Sequence, residues 1–309
     1  MSRCLFHHAV VNDLAAALNQ PSLMTPSREI PCFQDVYYEQ VWNEAKPWLQ
    51  KLDKDPSALL SHIQKTPRHN RLGLYYEALL SFWLLEHPTW KLLAHELPVY
   101  DNKTTVGAYD FLVETATDII HIEVAVKYYM GIEGLADWRD WIGPGQKDSL
   151  KLKMNKMLSK QLHLSRLDAG KAALTSAGLP QPTLRRMWFK GIFFSPHDTP
   201  LKQAPLGGRE PTGVWYPMAA IPSLITQYPR GYWMPRIKPD WLANLNIKDL
   251  PAKVTPPAKL ESVVKKQFAE NGNAPAMWSL MLPDVKVGWR EVQRFFFAPN
   301  DWRHRAKQR

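Results

Sequence analysis

The chain has 309 residues, 45% of them hydrophobic and 22% charged. This is a globular balance with enough chain for one large core or two ordinary ones, and it excludes a mainly disordered polymer. Lys and Arg outnumber Asp and Glu by 39 to 29, a formal charge of +10, which favours a polyanionic partner or a basic patch and says nothing of fold. Cys4 and Cys32 are the only cysteines, too few for a disulfide framework or a Cys-based zinc cluster. A reduced, cytoplasmic protein is expected. The first twenty residues are broken by Asn12 and Asp13 and make a poor signal peptide. The uncharged window 211–229 carries four prolines and reads as strand and loop, so no membrane association is expected.

In chain order, the first 66 residues read as a helical N-terminal region, with segments near Ala9–Leu18 and Asp35–Lys51. Arg71 to Glu86 follows as a helix whose Leu72, Tyr75, Tyr76, Leu79, Leu80, Trp83 and Leu84 recur at helical spacing, and Pro88 ends it. Three strands are predicted next, over Leu92–Tyr100, Val106–Glu114 and Thr117–Tyr129. After Gly143-Pro144-Gly145 a long helix is predicted from Lys147 to about Leu167, with Leu150, Met154, Met157, Leu158 and Leu162 inward and lysines outside. Arg185–Ser195 reads as a further strand, completing an α/β pattern.

Of the 26 prolines, nine precede residue 175 and seventeen follow it. Residues 197–309 thus form a Trp- and Pro-rich extension of shorter strands, read over Gly213–Ile221, Gly231–Ile237, Ala276–Leu282 and Glu291–Ala298, with a helix over Ala258–Glu270. The terminal Arg303, His304, Arg305, Lys307 and Arg309 read as a flexible basic end. Thirteen tryptophans offer either core filling or base-stacking platforms.

Charge is concentrated. Between Lys147 and Lys190 ten basic residues face two acids, which supplies +8 of the +10. Lys151, Lys153, Lys156 and Lys160 on the long helix are the candidates for tracking a phosphate backbone, the alternative being an ordinary solvated helix face.

The third strand carries the chemistry. Its side chains alternate, so Ile120, Ile122, Val124 and Val126 share one face while His121, Glu123, Ala125 and Lys127 share the other. On its own this is an amphipathic strand with a solvated face. The preceding strand, however, holds a single acid, Asp110, in an apolar run. A four-residue loop over 115–118 pairs Glu114 with Ile119 and Val113 with Ile120, which sets Asp110 opposite Glu123. Two facing carboxylates repel unless a proton or a divalent cation resolves them, and hard oxygen ligands suit Mg2+ or Mn2+. Lys127 on the same face would orient water or stabilise a transferring phosphate.

Taken together, RLGLYYEALLSFWLLEHP, LLAHELPV, GAYDFLV, HIEVAVKYYMG and WIGPGQKDSLKLKMNKMLSKQL resemble a bacterial family of unknown function that has been placed in the PD-(D/E)XK nuclease superfamily. The resemblance implies a restriction-endonuclease-like core, a mixed central sheet flanked by helices, over residues 67–196. It implies metal ligation by Asp110 and Glu123 with help from a helix acid, Glu77, and a polar role beside the site for Gln161. Two departures stand out. The superfamily's Glu-x-Lys spacing puts lysine where this chain has Ala125, with Lys127 about 6–7 Å further along the strand, and Ala108 and Tyr109 separate Gly107 from Asp110. The expected activity is metal-dependent phosphodiester hydrolysis, with DNA as the partner. The alternative is a catalytically inactive nucleic-acid-binding or scaffold protein on the same fold. A glycoside hydrolase, which also needs two carboxylates, is disfavoured by the basic charge.

Overall fold

The computed structural model describes residues 6–66, 71–199 and 203–308; Cys4 and Arg309 lie outside them. Four helices come first, α1 (Ala9–Asn19), α2 (Asp35–Leu52), α3 (Ser57–Lys65) and α4 (Leu72–Leu85), then strands β1 (Lys91–Asp101), β2 (Thr104–Glu114) and β3 (Ile119–Gly131). The short strand β4 (Trp141–Ile142) precedes α5 (Leu150–Ser159), a 3-10 segment over Gln161–Arg166, α6 (Asp168–Ser176) and β5 (Leu184–Pro196). Then follow β6 (Gly213–Pro217), α7 (Ile221–Gln227), β7 (Tyr232–Arg236), β8 (Asn246–Ile247), α8 (Leu260–Glu270), β9 (Ala276–Asp284), β10 (Gly288–Ala298) and α9 (Trp302–Lys307). The chain is an α/β protein with mixed β-sheet flanked by helices. No helix among the described residues is long and apolar enough to cross a membrane.

Two compact units divide the chain, and strands β3 and β5 run through both. The first unit holds residues 6–126 and 152–190. Its strands β1 and β2 pair antiparallel from Lys91↔Glu114 to Asp101↔Thr104. The β2–β3 pairing runs Glu114↔Ile119, Val113↔Ile120, Leu112↔His121 and Phe111↔Ile122, which is the register the four-residue loop dictates. Helix α4 is buried almost all round, which its mostly apolar sequence demands. Helix α6 covers β1 and β2 through Val99, Tyr109, Leu112, Leu164 and Leu174. That fit requires a glycine: a Cβ on Gly170 would lie 1.9 Å from the Leu164 carbonyl oxygen and 2.8 Å from the Tyr109 hydroxyl.

The second unit holds residues 127–151 and 191–308. Strand β6 lies parallel to both β5 and β10, and β9 and β7 continue antiparallel from β10. Beneath them α7 and α8 contribute Ile221, Leu224, Leu260, Val264 and Phe268 to a core with Trp233, Trp278, Phe295 and Phe297. A buried ion network, Arg236–Glu291–Arg294, ties β7 to β10 at 3.0 and 2.5 Å. The two guanidiniums spend their remaining donors on the carbonyls of Asp240, Trp241 and Ala243.

Three expectations need correction. The helix predicted from Lys147 to Leu167 stops at Ser159 and continues as the 3-10 segment and α6. On one continuous helix Leu162 would lie about 120° round from Leu150; the break at Lys160 (φ −123°) lets both be buried. The window read as strand and loop includes α7, because Pro222 sits in the helix's first turn, where its missing N–H costs nothing. The basic tail is anchored as α9. Trp302 is 1% exposed, its indole donates to the Pro144 carbonyl at 2.9 Å, and Arg303 makes a paired contact with Asp198. Trp141, Trp188, Trp215, Trp233, Trp278 and Trp302 are fully buried, so these six fill cores and offer no stacking platform.

Candidate functional site

Glu77 is the only charged residue of α4, with Tyr76 and Ala78 buried on either side of it. A lone carboxylate in such a helix is costly unless something uses it. Burial, followed by repulsion from Asp110 and Glu96, pushes its pKa up to about 8.

The second and third acids come from neighbouring strands. The β2–β3 ladder ends at Phe111↔Ile122, and one residue further Asp110 turns its carboxylate onto the Val124 amide, which donates at 2.8 Å. Glu123 is fully buried. His121 Nε2 meets its Oε1 at 2.7 Å, and Gln161 Nε2 donates to its Oε2 at 2.5 Å. Burial raises both acids to about 7, with repulsion from Glu123 adding to the rise at Asp110. Burial holds His121 down to about 4, keeping it neutral. The neutral ring's 2.7 Å contact through Nε2 holds the orientation of Glu123.

Asp110, Glu123 and Glu77, the residues proposed from sequence as the metal ligands, thus lie in one electrostatic neighbourhood within the first unit. Their donor type suits a hard divalent cation: these are three carboxyls with raised pKa values, each of which positive charge nearby would relieve. Glu96 joins them. The ligand atoms of Glu77, His95 and Glu96 lie within 4.8 Å of one another. Strand neighbours such as His95 and Glu96 ordinarily point to opposite faces. Glu96 has the left-handed backbone rare for a residue with a side chain (φ +52°), and this lets both approach Glu77. No rule of alternation in the sequence could reveal it.

The lysines divide. Lys127 lies in the second unit, where its ammonium is held by Asp148 at 2.6 Å, so the cation expected to serve the acids is engaged elsewhere. Lys151 is exposed and feels Asp137. Lys153 follows two residues later, about 200° round the helix, and its Nζ donates to Gln161 Oε1 at 3.3 Å. Lys156 is exposed and lowers the pKa of Glu123, and Lys160 is exposed at the end of the helix. Gln161 thus belongs to the carboxylate cluster itself, placed there by the break after α5. A separate cleft of about 770 Å3, lined in part by Arg28, Tyr37, Trp90, Asp118 and Arg186, contains none of the sequence-predicted site residues.

The chain belongs to a family described as a domain of unknown function (DUF1853), whose model matches residues 12–298. No curated protein and no solved structure matches it.

Proposed function

We propose that the protein is a metal-dependent nuclease-like enzyme that hydrolyses phosphodiester bonds, with DNA as substrate and Mg2+ or Mn2+ as cofactor, on a restriction-endonuclease-like core. One observation carries the reading. Glu77, Asp110 and Glu123, from a helix and two adjacent strands, are largely buried carboxyls with raised pKa values, Asp110 feeling the charge of Glu123 and Glu77 that of Asp110. A protein with no use for cations gains nothing by concentrating carboxylates in its interior.

When bound, a divalent ion would supply Lewis-acid activation of water and neutralise charge on the phosphate. The chain's own residues do the rest. His121 and Gln161 grip the two oxygens of Glu123 and fix its plane. The Val124 amide holds one oxygen of Asp110 and leaves the other for ligation. The basic residues of Lys147–Lys190 supply the field that draws in a nucleic-acid backbone.

A second reading, a catalytically inactive nucleic-acid-binding protein, draws support from the engagement of Lys127 with Asp148 and from Ala125 at the superfamily's lysine position. The discriminating experiment is cleavage of linear, circular, single-stranded and branched DNA and of RNA by wild type and Asp110→Ala, each with magnesium, manganese or chelator. Metal-dependent cutting by the wild type, lost in the variant, supports the enzyme. Salt-sensitive binding by both proteins with no cutting of any substrate supports the second reading and sinks the first.

A further inference from the structure

The strand lysine expected to complement the acids of the candidate site is paired with Asp148, and another cation stands in the acids' neighbourhood. On α5 the buried residues Leu150, Met154 and Met157 fix the helix's rotation. Lys153 and Lys156 fall on one flank of that stripe, about 60° apart, while Lys151 falls on the other. Lys153 is half-buried, unlike the exposed Lys151, Lys156 and Lys160. Its Nζ donates to Gln161 Oε1 at 3.3 Å, and the same amide donates from Nε2 to Glu123 Oε2 at 2.5 Å. The ammonium therefore stands two hydrogen bonds from a fully buried ligand candidate, held there by a side chain that the break after α5 delivers. The charge of Lys153 also reaches Glu77, Asp110 and Glu123 alike, whereas that of Lys156 reaches only Glu123 among them.

Resting on the nuclease reading, we propose that Lys153, and not Lys127, is the catalytic lysine of this site, with its ammonium placed to bind a non-bridging oxygen of the scissile phosphate. In the step it serves, a water oxygen forms a bond to phosphorus while the bond to the leaving oxygen breaks with its electron pair. The water gives up a proton to solvent, the leaving oxygen takes one from solvent, and Lys153 stays protonated throughout. Its charge opposes the negative charge that builds on the phosphoryl oxygens. Gln161 is the positioning residue, since its amide couples the ammonium to Glu123.

The test compares wild type, Lys153→Met, Lys153→Arg, Lys127→Met and Asp110→Asn on the DNA substrate that the wild type cuts. It reads kcat and KM, manganese affinity by titration calorimetry, and thermal stability. Lys153→Met is expected to lower kcat on the order of 100-fold or more while manganese affinity and melting temperature hold. Lys153→Arg should recover part of the loss, and the loss in Lys153→Met should exceed that in Lys127→Met at least tenfold. Asp110→Asn should lose manganese binding as well as cutting. A larger loss in Lys127→Met, or a Lys153→Met protein whose melting temperature falls with its activity, overturns the assignment while leaving the nuclease reading intact. If the wild type cuts no substrate with either metal, both fall together.

Discussion

Replacing Asp110 by Asn should stabilise the metal-free protein, by an amount that depends on pH in a defined direction. The amide keeps an oxygen to accept the Val124 N–H and removes the charge. Asp110 ordinarily ionises near 3.8 and is raised to about 7, chiefly by burial and then by Glu123. Below pH 3.8 the carboxyl is protonated in both folded and unfolded chains and contributes no pH dependence. As pH rises past 3.8 the unfolded group ionises first, so wild-type stability falls, and the loss levels off once the folded group ionises near 7. At about 1.4 kcal/mol per pH unit, a rise of roughly three units costs the wild type about 4 kcal/mol at pH 8 and under about 1 kcal/mol at pH 4. Coupling to Glu123 shares part of this with its partner, which leaves about 2–4 kcal/mol for the substitution to recover. Urea denaturation from pH 4 to pH 8 measures it directly, and in thermal scans the gain at pH 8 should be about 4–8 °C. Magnesium should stabilise the wild type at pH 8 and do little for the variant. An Asn variant no more stable than wild type at pH 8, or a gain that does not change with pH, would show that Asp110 is not a strained carboxylate, and the metal argument would lose its footing.

Two further perturbations test how the units are built. Gly170→Ala forces a Cβ into the Leu164 carbonyl and the Tyr109 hydroxyl. It should destabilise the first unit by about 2 kcal/mol or more, and slower cutting should follow through the displaced Gln161. Urea denaturation and the cleavage assay together check this, and a neutral effect would mean that α6 does not pack as described. Glu291→Gln strips the carboxylate from between Arg236 and Arg294, all three under 10% exposed. Its loss should cost about 3–5 kcal/mol, read as a drop in the denaturation midpoint; replacing all three with apolar residues of similar volume should cost much less.

How much of this was legible in the sequence follows from which physical rules are local. The two-residue period of strands and a four-residue loop were enough to set the β2–β3 register from Glu114↔Ile119 as far as Phe111↔Ile122, one residue short of Asp110 and Glu123. The apolar period of α4 likewise made its lone Glu77 conspicuous. Glu96 was hidden because its left-handed backbone suspends the alternation that would have sent it away from His95. The break after α5 was hidden because one long helix and a helix with a 3-10 continuation bury nearly the same leucines. Only the poor fit of Leu162 to the Leu150 stripe distinguishes them.

That break also decides which lysine serves the acids. Reading Lys127 as the site lysine required only that it share a face with Glu123, and strand alternation supports that as far as it goes. What alternation cannot supply is the competitor for the charge, and Asp148, twenty-one residues further on, holds the Lys127 ammonium at 2.6 Å. Lys153, by contrast, was visible only as one of several basic residues on a helix. Its special position depends on where the helix stops, since Gln161 reaches both it and Glu123 only because the chain leaves the α-helical path at Lys160. Restoring the continuous helix would separate the three groups. An Asp148→Asn substitution tests the same logic from the other side. If Lys127 is merely diverted, freeing it should raise cutting in a Lys153→Met background; if the position of Lys153 is what matters, that double variant should stay as slow as Lys153→Met alone.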